Sequence, residues 1–270
     1  MREFLIPLLS AFVLCYGLFV LALYLFQRNL MYHPGAERPA MPRDFEAVEV
    51  ASEDGLLVTS WWAKSQSADH PTLVYFHGNA GDPSSRVEKV QDYREAGWGV
   101  VFAGYRGFAG NPGAPSEQGL SADARAIFGF LEGRGLSPSN IILYGESLGS
   151  GVAVRLAAER AQKGAPAAAV VLEAPFTSMA AAAQSHYPWT PAIFLVKDRW
   201  DSLGRIDGIQ APLLVVHGTR DRTVPHWMGE ALVESAHPPK RFVSVEGAGH
   251  VNLDDFGLQK HVIDFISKSK

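Results

Sequence analysis

The sequence predicts an α/β fold: a mostly parallel sheet of about eight strands with helices on both faces, preceded by one membrane-crossing helix. Three observations carry this expectation. Short apolar runs alternate along the chain with segments whose apolar residues recur at helical spacing. Three of the runs, Leu73-Val74-Tyr75-Phe76, Ile141-Ile142-Leu143-Tyr144 and Leu213-Leu214-Val215-Val216, are apolar at every position, as strands buried on both faces must be. The third observation is an uncharged, Leu- and Phe-rich run of 23 residues, 4–26, near the N-terminus.

As a helix that run would be about 35 Å long, enough to cross a bilayer core of roughly 30 Å. Arg2 and Glu3 precede it, Gln27, Arg28 and Asn29 follow it, and Tyr24 lies near its trailing boundary. A cleavable signal peptide and a buried soluble helix are the competing readings. The run is too long for the first and is followed by no small-x-small cleavage site; it lacks the polar face of the second. Residues 1–28 are therefore expected as an anchor, making this a single-pass membrane protein. Arg28, Arg38 and Arg43 beyond the span, against Arg2 before it, lean towards a cytoplasmic body. An exported body behind a short tail is a common alternative, so the side stays open.

Residues 29–45, with Pro34, Pro39 and Pro42, read as a linker, and residues 46–270 as one α/β domain. Strands are expected at 47–51, 56–62, 72–76, 100–103, 141–144, 168–172, 213–216 and 242–245, and helices at 84–96, 117–132, 150–162, 226–235 and 258–267. Gly133 and Gly135 mark one helix end and Pro225 one start. The stretch 176–209 breaks the alternation and is too long for a plain connection. It holds Phe176, the alanines 180–183, Tyr187, Trp189, Phe194 and Trp200, and is expected to form a small helical cap over the sheet, an ordinary crossover helix being the alternative.

Composition narrows the function. A net charge of −4, from 24 basic and 28 acidic residues well mixed, offers no basic face for nucleic acid. The single cysteine, Cys15, excludes an internal disulfide and a Cys-rich zinc site. The histidines are scattered, with no His-x-x-x-His helix pair, so no metal or cofactor is expected. Oligomeric state is not indicated.

The chemistry begins at Gly145-Glu146-Ser147-Leu148-Gly149, between an all-apolar strand and a helix start. Strand, Gly-x-Ser-x-Gly, helix is the pattern of a nucleophile elbow, in which a tight turn lifts a serine hydroxyl off the end of a sheet. Gly145 and Gly149 keep that turn free of Cβ clashes. A serine hydroxyl needs a base near neutral pH. His226 and His237 lie at helix ends and His261 inside the last helix, whereas His250 sits in the glycine-rich loop Glu246-Gly247-Ala248-Gly249-His250 directly after a strand. Loops at strand ends face the active edge of such a sheet, which favours His250. Asp221 closes the preceding strand and is the expected orienting acid, with Glu173 as the other candidate. Two oxyanion donors are expected: the backbone N–H groups of Leu148 and of Asn79, in His77-Gly78-Asn79-Ala80-Gly81. His77 is read as a brace for that loop.

Together the motifs resemble the α/β-hydrolase superfamily, and within it the membrane-anchored bud-emergence branch, which includes serine depalmitoylases of animals and bacterial esterases or lysophospholipases. The resemblance spans most of the chain. It rests on the anchor followed by Leu30-Met31-Tyr32-His33-Pro34, on Phe76-His77-Gly78-Asn79-Ala80-Gly81, Tyr105-Arg106-Gly107-Phe108 and Pro115-Ser116-Glu117 with Gly119, and on residues 145–151, His217-Gly218-x-x-Asp221-x-x-Val224-Pro225 and Gly249-His250. It implies hydrolysis of an acyl ester or thioester of a small molecule by Ser147, Asp221 and His250, in a bacterial plasma membrane; the apolar cap and the anchor together point to a lipid-like substrate drawn from the bilayer. A peptidase of the same fold and a non-catalytic membrane scaffold are the alternatives. The chain departs from the animal depalmitoylases at its N-terminus, where a hydrophobic span with Cys15 alone replaces their acylated cysteine cluster.

Overall fold

The apolar runs become the centre of one sheet. The computed structural model describes residues 2–35 and 37–269. Its strands are β1 (Glu46–Ala51), β2 (Leu57–Ala63), β3 (Thr72–Phe76), β4 (Gly99–Phe102), β5 (Ile141–Glu146), β6 (Ala169–Glu173), β7 (Leu213–Gly218) and β8 (Lys240–Val245). Among the described residues these eight form one sheet in the order β8-β7-β6-β5-β3-β4-β2-β1. β1 pairs with β2, and β2 with β4, in antiparallel fashion; every other pairing in the sheet is parallel.

The helices are α1 (Arg2–Met31), α2 (Gln91–Glu95), α3 (Glu117–Gly133), α4 (Leu148–Gln162), α5 (Met179–His186), α6 (Ala192–Leu195), α7 (Trp227–Ser235) and α8 (Leu258–Lys268). Side chains alternate across the sheet with the period of two that a strand imposes. Val74, Phe76, Leu143, Leu172 and Val215 join one core with α3, α4 and α7. Leu73, Tyr75, Tyr144, Val171 and Val216 join the other with α2 and α8. A slip of one residue in register would exchange the two cores, so the fully apolar strands fix both faces at once.

Two expected segments differ in form. The helix expected at 84–96 is two 3₁₀ turns, Pro83–Arg86 and Glu88–Val90, followed by the short α2. Tight winding lines up residues three apart. Arg86 and Lys89 can then both reach buried carboxylates, Glu146 and Glu173. The expected linker is packed: α1 runs on to Met31, Tyr32 is buried, and His33–Pro34 pairs in parallel with Ala80–Gly81 beside the oxyanion loop. The cap consists of α5, α6 and irregular chain.

The strand order places the site. From β3 the chain goes outward to β4, then returns to the other side of β3 as β5. The loops leaving the carboxyl ends of β3 and β5 diverge there, and a crevice opens between them.

Candidate active site

Ser147 links β5 to α4 with φ 50° and ψ −112°, a conformation disfavoured for a residue with a Cβ. Its surroundings enforce it. The Ser147 N–H donates to the Glu173 carbonyl at 2.9 Å, and the Ser150 N–H to the Ser147 carbonyl at 2.9 Å. A Cβ on Gly149 would overlap the Phe76 carbonyl, and one on Gly145 would overlap the Gly149 carbonyl. The first turn of α4 is thus pressed onto the end of β3, and only hydrogen fits at either glycine.

The three expected side chains meet. His250 Nε2 lies 3.0 Å from the Ser147 hydroxyl oxygen, and His250 Nδ1 lies 2.7 Å from Asp221 Oδ2. Nδ1–H donates to the carboxylate, leaving Nε2 free to accept the serine proton. Asp221 is closely held: its Oδ1 accepts from the N–H groups of Thr223 and Val224 at 2.8 Å each. Burial opposes its charge, but hydrogen bonds from His217 and His250 outweigh that and hold its pKa well below the usual carboxylate range. The His250 loop is tied to β7 through Arg220 N–H to the Ala248 carbonyl, 2.8 Å. A side-chain acceptor, Asn252 Oδ1, takes the Gly249 N–H at 2.7 Å.

Glu173, the other acid considered, points elsewhere. Its carboxylate pairs with Lys89 at 2.6 Å and accepts from the Tyr144 hydroxyl at 2.6 Å. Glu146 likewise faces away from the hydroxyl, to Arg86 and the Tyr75 hydroxyl. Burial would raise its pKa, yet the bond to Arg86 and the nearby charge of Lys89 bring it down to about 2. A buried charged layer thus braces the elbow from behind.

The oxyanion side is equally constrained. The Leu148 N–H is the first amide of α4 and so lacks an intrahelical acceptor. A Cβ on Gly78 would stand 3.7 Å from the Ser147 Cβ, which shows how closely the Gly78-Asn79 turn passes that serine. The Asn79 side chain donates to the Met31 carbonyl at 3.0 Å, and the His33 N–H to the Asn79 carbonyl at 3.0 Å. The end of α1 is thereby wired to this turn. His77 is buried, packed against Tyr105 with ring centroids 4.4 Å apart and the rings tilted by 44°, and its Nδ1–H donates to the Gly78 carbonyl at 2.8 Å. Burial pushes its pKa down to about 4. It braces the loop as a neutral ring.

Ser147, Leu148 and Asn79 form the floor of a cavity of about 390 Å³. Its walls are apolar: Phe176, Met179 and Ala183 from the cap side, Leu23, Leu30 and Met31 from α1.

Sequence reasoning passed over three residues here. His217 is fully buried, with Nε2 3.2 Å from Asp221 Oδ2 and 3.1 Å from the Val224 carbonyl. Both are acceptors, so Nε2 carries the proton and donates to the acid. His186 borders the cavity and its Nε2 donates to the Thr223 carbonyl at 2.7 Å. Asn252 is the third. Only His217 left a signal: a histidine at the carboxyl end of an apolar strand, four residues before the acid.

No family model matches the chain. It is 42% identical over 231 residues to the uncharacterized protein Rv2307c of Mycobacterium tuberculosis, covering 83% of this chain and 80% of that one. It is 33% identical over 195 residues to the lysophosphatidylserine lipase ABHD12 of Danio rerio, covering 67% of this chain. It spans about half of that lipase, 51% of its length. Among solved structures, an alpha-beta hydrolase from Vibrio vulnificus superposes with a TM-score of 0.75 at 22% identity, covering 91% of this chain and 92% of that one.

Proposed function

This chain belongs to the α/β-hydrolase superfamily, and on that premise we propose that it is a membrane-anchored serine esterase of the lysophospholipase type, cleaving the acyl ester or thioester of a single-chain lipid. The observation that carries the proposal is the relay of 3.0 Å and 2.7 Å from Ser147 through His250 to Asp221, set at the floor of an apolar cavity.

His250 Nε2 takes the hydroxyl proton of Ser147 as the oxygen attacks the acyl carbonyl. The N–H groups of Leu148 and Asn79 hold the developing oxyanion. As the tetrahedral intermediate collapses, the bond to the leaving oxygen or sulfur breaks and His250 returns the proton to that atom. The acyl group is left on Ser147. A water enters, His250 accepts its proton, the acyl–enzyme bond breaks, and Ser147 regains its hydrogen as the free fatty acid departs. Asp221 stays charged throughout and stabilises the imidazolium.

The substrate class follows from the walls. A cavity of about 390 Å³ is at the lower end for ligand pockets and suits one acyl chain, with the head group left outside. The lipase named among the relatives acts on lysophosphatidylserine, a lipid of this kind. Helix α1 carries a run, Phe4–Met31, long and apolar enough to cross a membrane. We assign it as a permanent anchor in a bacterial plasma membrane, with residues 46–270 as the catalytic domain and 176–209 as its cap.

The test is a fluorophosphonate label on the full chain in detergent, followed by p-nitrophenyl esters of rising length, a lysophospholipid, an acyl-CoA and a peptide. Labelling at Ser147 with turnover rising to long-chain esters is expected. An unlabelled Ser147, or cleavage of the peptide alone, would overturn the reading.

A further inference from the structure

The cap does not stand off the membrane anchor; it lies along it. The Tyr16 hydroxyl donates to the Trp189 carbonyl at 2.7 Å, and Phe19 packs on the Trp189 ring with centroids 5.5 Å apart. Nearer the helix end, Gln27 donates to the Leu195 carbonyl at 3.3 Å and accepts from the Lys197 N–H at 2.6 Å. Arg28 closes the row with a two-pronged pair to Asp198, 2.8 and 3.0 Å. Tyr16 and Arg28 are twelve residues apart in sequence, about 18 Å along a helix axis. With Arg28 at the membrane surface, Trp189 is carried about one leaflet deep.

We propose that cap residues 187–195 are seated in the hydrocarbon of the membrane beside α1, so that the active-site cavity opens sideways into the leaflet and α1 forms one wall of the acyl site. The occupant of the outer face of the cap is thus lipid, for two independent reasons. The exposed side chains are Tyr187, Trp189 and Phe194, the last 81% exposed, and they continue the exposed apolar surface of α1 without a break at the helix–cap contact. The irregular chain at 187–193, moreover, has its carbonyls satisfied from within, as backbone in lipid requires.

Every carbonyl from 187 to 193 has a donor inside the protein. Thr190 N–H and Oγ1 serve the Tyr187 carbonyl at 3.0 and 2.8 Å, and the two Nε2 hydrogens of Gln184 serve those of Pro188 and Thr190 at 3.2 and 3.0 Å. Tyr16 serves Trp189 and Arg199 serves Ile193, the latter at 2.9 Å. Backbone N–H groups of Phe194 and Val196 serve Pro191 and Ala192. Pro188 and Pro191 have no N–H to satisfy.

The cavity wall agrees with this placement. Val20, Leu23, Tyr24, Gln27 and Leu30 line it, a single stripe at helical spacing. The stripe leads from Met31, at the oxyanion loop, back into the span. A lipid lying in the leaflet has its ester near the surface and its tail inward. It can therefore slide between α1 and the cap with the carbonyl arriving at Ser147 and the tail already along the stripe.

The proposal deepens the esterase reading and rests on it for the identity of the cargo, but its test separates the two. In the full chain with Cys15→Ser, a nitroxide is attached at Phe194→Cys or Trp227→Cys, each on a half-exposed or exposed aromatic. The protein is reconstituted in phosphatidylglycerol–phosphatidylethanolamine vesicles. The label at 194 is expected to be relaxed by oxygen and shielded from an aqueous nickel chelate; the label at 227 should show the reverse. Nickel access at 194 equal to that at 227 would overturn the seating. In parallel, Phe194→Glu brings a charge to a lipid-exposed position. It should lower hydrolysis of palmitoyl-lysophosphatidylserine in vesicles about tenfold and leave hydrolysis of p-nitrophenyl butyrate in detergent within about twofold. Unchanged vesicle activity would also overturn it. Failure of the unsubstituted protein to cleave p-nitrophenyl butyrate would sink the esterase reading while leaving the depth measurement to decide the seating on its own.

Discussion

The cavity has two unlike rims. Along the sheet edge, Ser147, Asp221 and His250 are fixed by directional bonds: backbone amides on Asp221, a carbonyl on the Ser147 N–H, and glycines where a Cβ would collide with backbone. Along α1 and the cap, the walls are mostly Leu, Val, Met, Ala and Phe, whose contacts have no direction, with Gln27 and His186 bonded to the backbone beside them. The difference shows where each kind of discrimination is built. In the proposed mechanism proton transfer requires fixed angles and distances near 3 Å, which the over-determined rim at the sheet edge would supply. Holding a tail requires only apolar volume, so the other rim can vary in shape without cost to the chemistry.

The largest break in this comparison is Ser147→Ala. Turnover of any ester should fall by at least about 10⁴-fold, with circular dichroism and thermal midpoint close to the parent, since the hydroxyl of Ser147 supports no bond other than that to His250 among the described residues. Turnover near that of the parent would show that the rigid rim is not where the chemistry occurs.

His217→Phe sharpens the point. The ring space is kept while the bond to Asp221 is lost. A hydrogen bond to a charged group is worth about 1.5–3 kcal/mol, so kcat should fall roughly tenfold to hundredfold. KM for a short ester should stay nearly constant, because His217 is not among the residues that line the cavity. A rise in KM at constant kcat would mean that His217 serves the shape of the pocket instead of the relay.

The two rims also differed in how legible they were. The reacting rim could be read from the sequence because each part has its own local signature: glycines flanking a serine after an apolar strand, an acid and a histidine each just past a strand end. Asn252 and His186 could not be read, since their roles depend on loops meeting in space. The α1 wall was hidden for a different reason. Leu23 and Val20 sit in a run that is apolar on all sides, so no periodicity separates the stripe facing the cavity from the rest of the helix surface. The cap was foreseen from its length. Its contacts with Tyr16 and Arg28, more than 160 residues away, were not.

Acid should separate the rims next. His77 lies under the rigid rim, and its pKa of about 4 in the folded chain is below the ordinary histidine value near 6.5. The unfolded chain therefore binds a proton that the folded chain refuses. Stability is complete above about 6.5 and declines as pH falls towards 4, by up to about 1.4 kcal/mol per unit. Asp221 and Glu146, whose pKa values are depressed, keep their contributions until pH falls below the ordinary carboxylate range near 4. In the interval from about 6.5 to 4.5 His77 lowers stability as pH falls, while Glu173 and Asp254, whose pKa values burial raises, act in the opposite sense, so the difference between the parent and His77→Gln reads the histidine alone. Urea unfolding of the full chain in detergent should show that slope, and His77→Gln should reduce it. An equal slope in both proteins would remove His77 from the account.

The smallest expected effect lies on the apolar rim. Leu23→Ala shortens a side chain that lines the cavity, yet Leu23 touches none of the polar groups of the relay. Each methylene newly accommodated is worth about 0.8 kcal/mol, close to fourfold in kcat/KM. The preference for a sixteen-carbon over a twelve-carbon lysolipid should therefore rise severalfold, and the rate on the butyrate ester, too short to reach the stripe, should be held. Assaying both lysolipids with the parent and the variant reads the ratio directly. An unaltered ratio would mean that the tail leaves Ser147 by another route, past α5, and that the anchor closes the cavity without selecting what fills it.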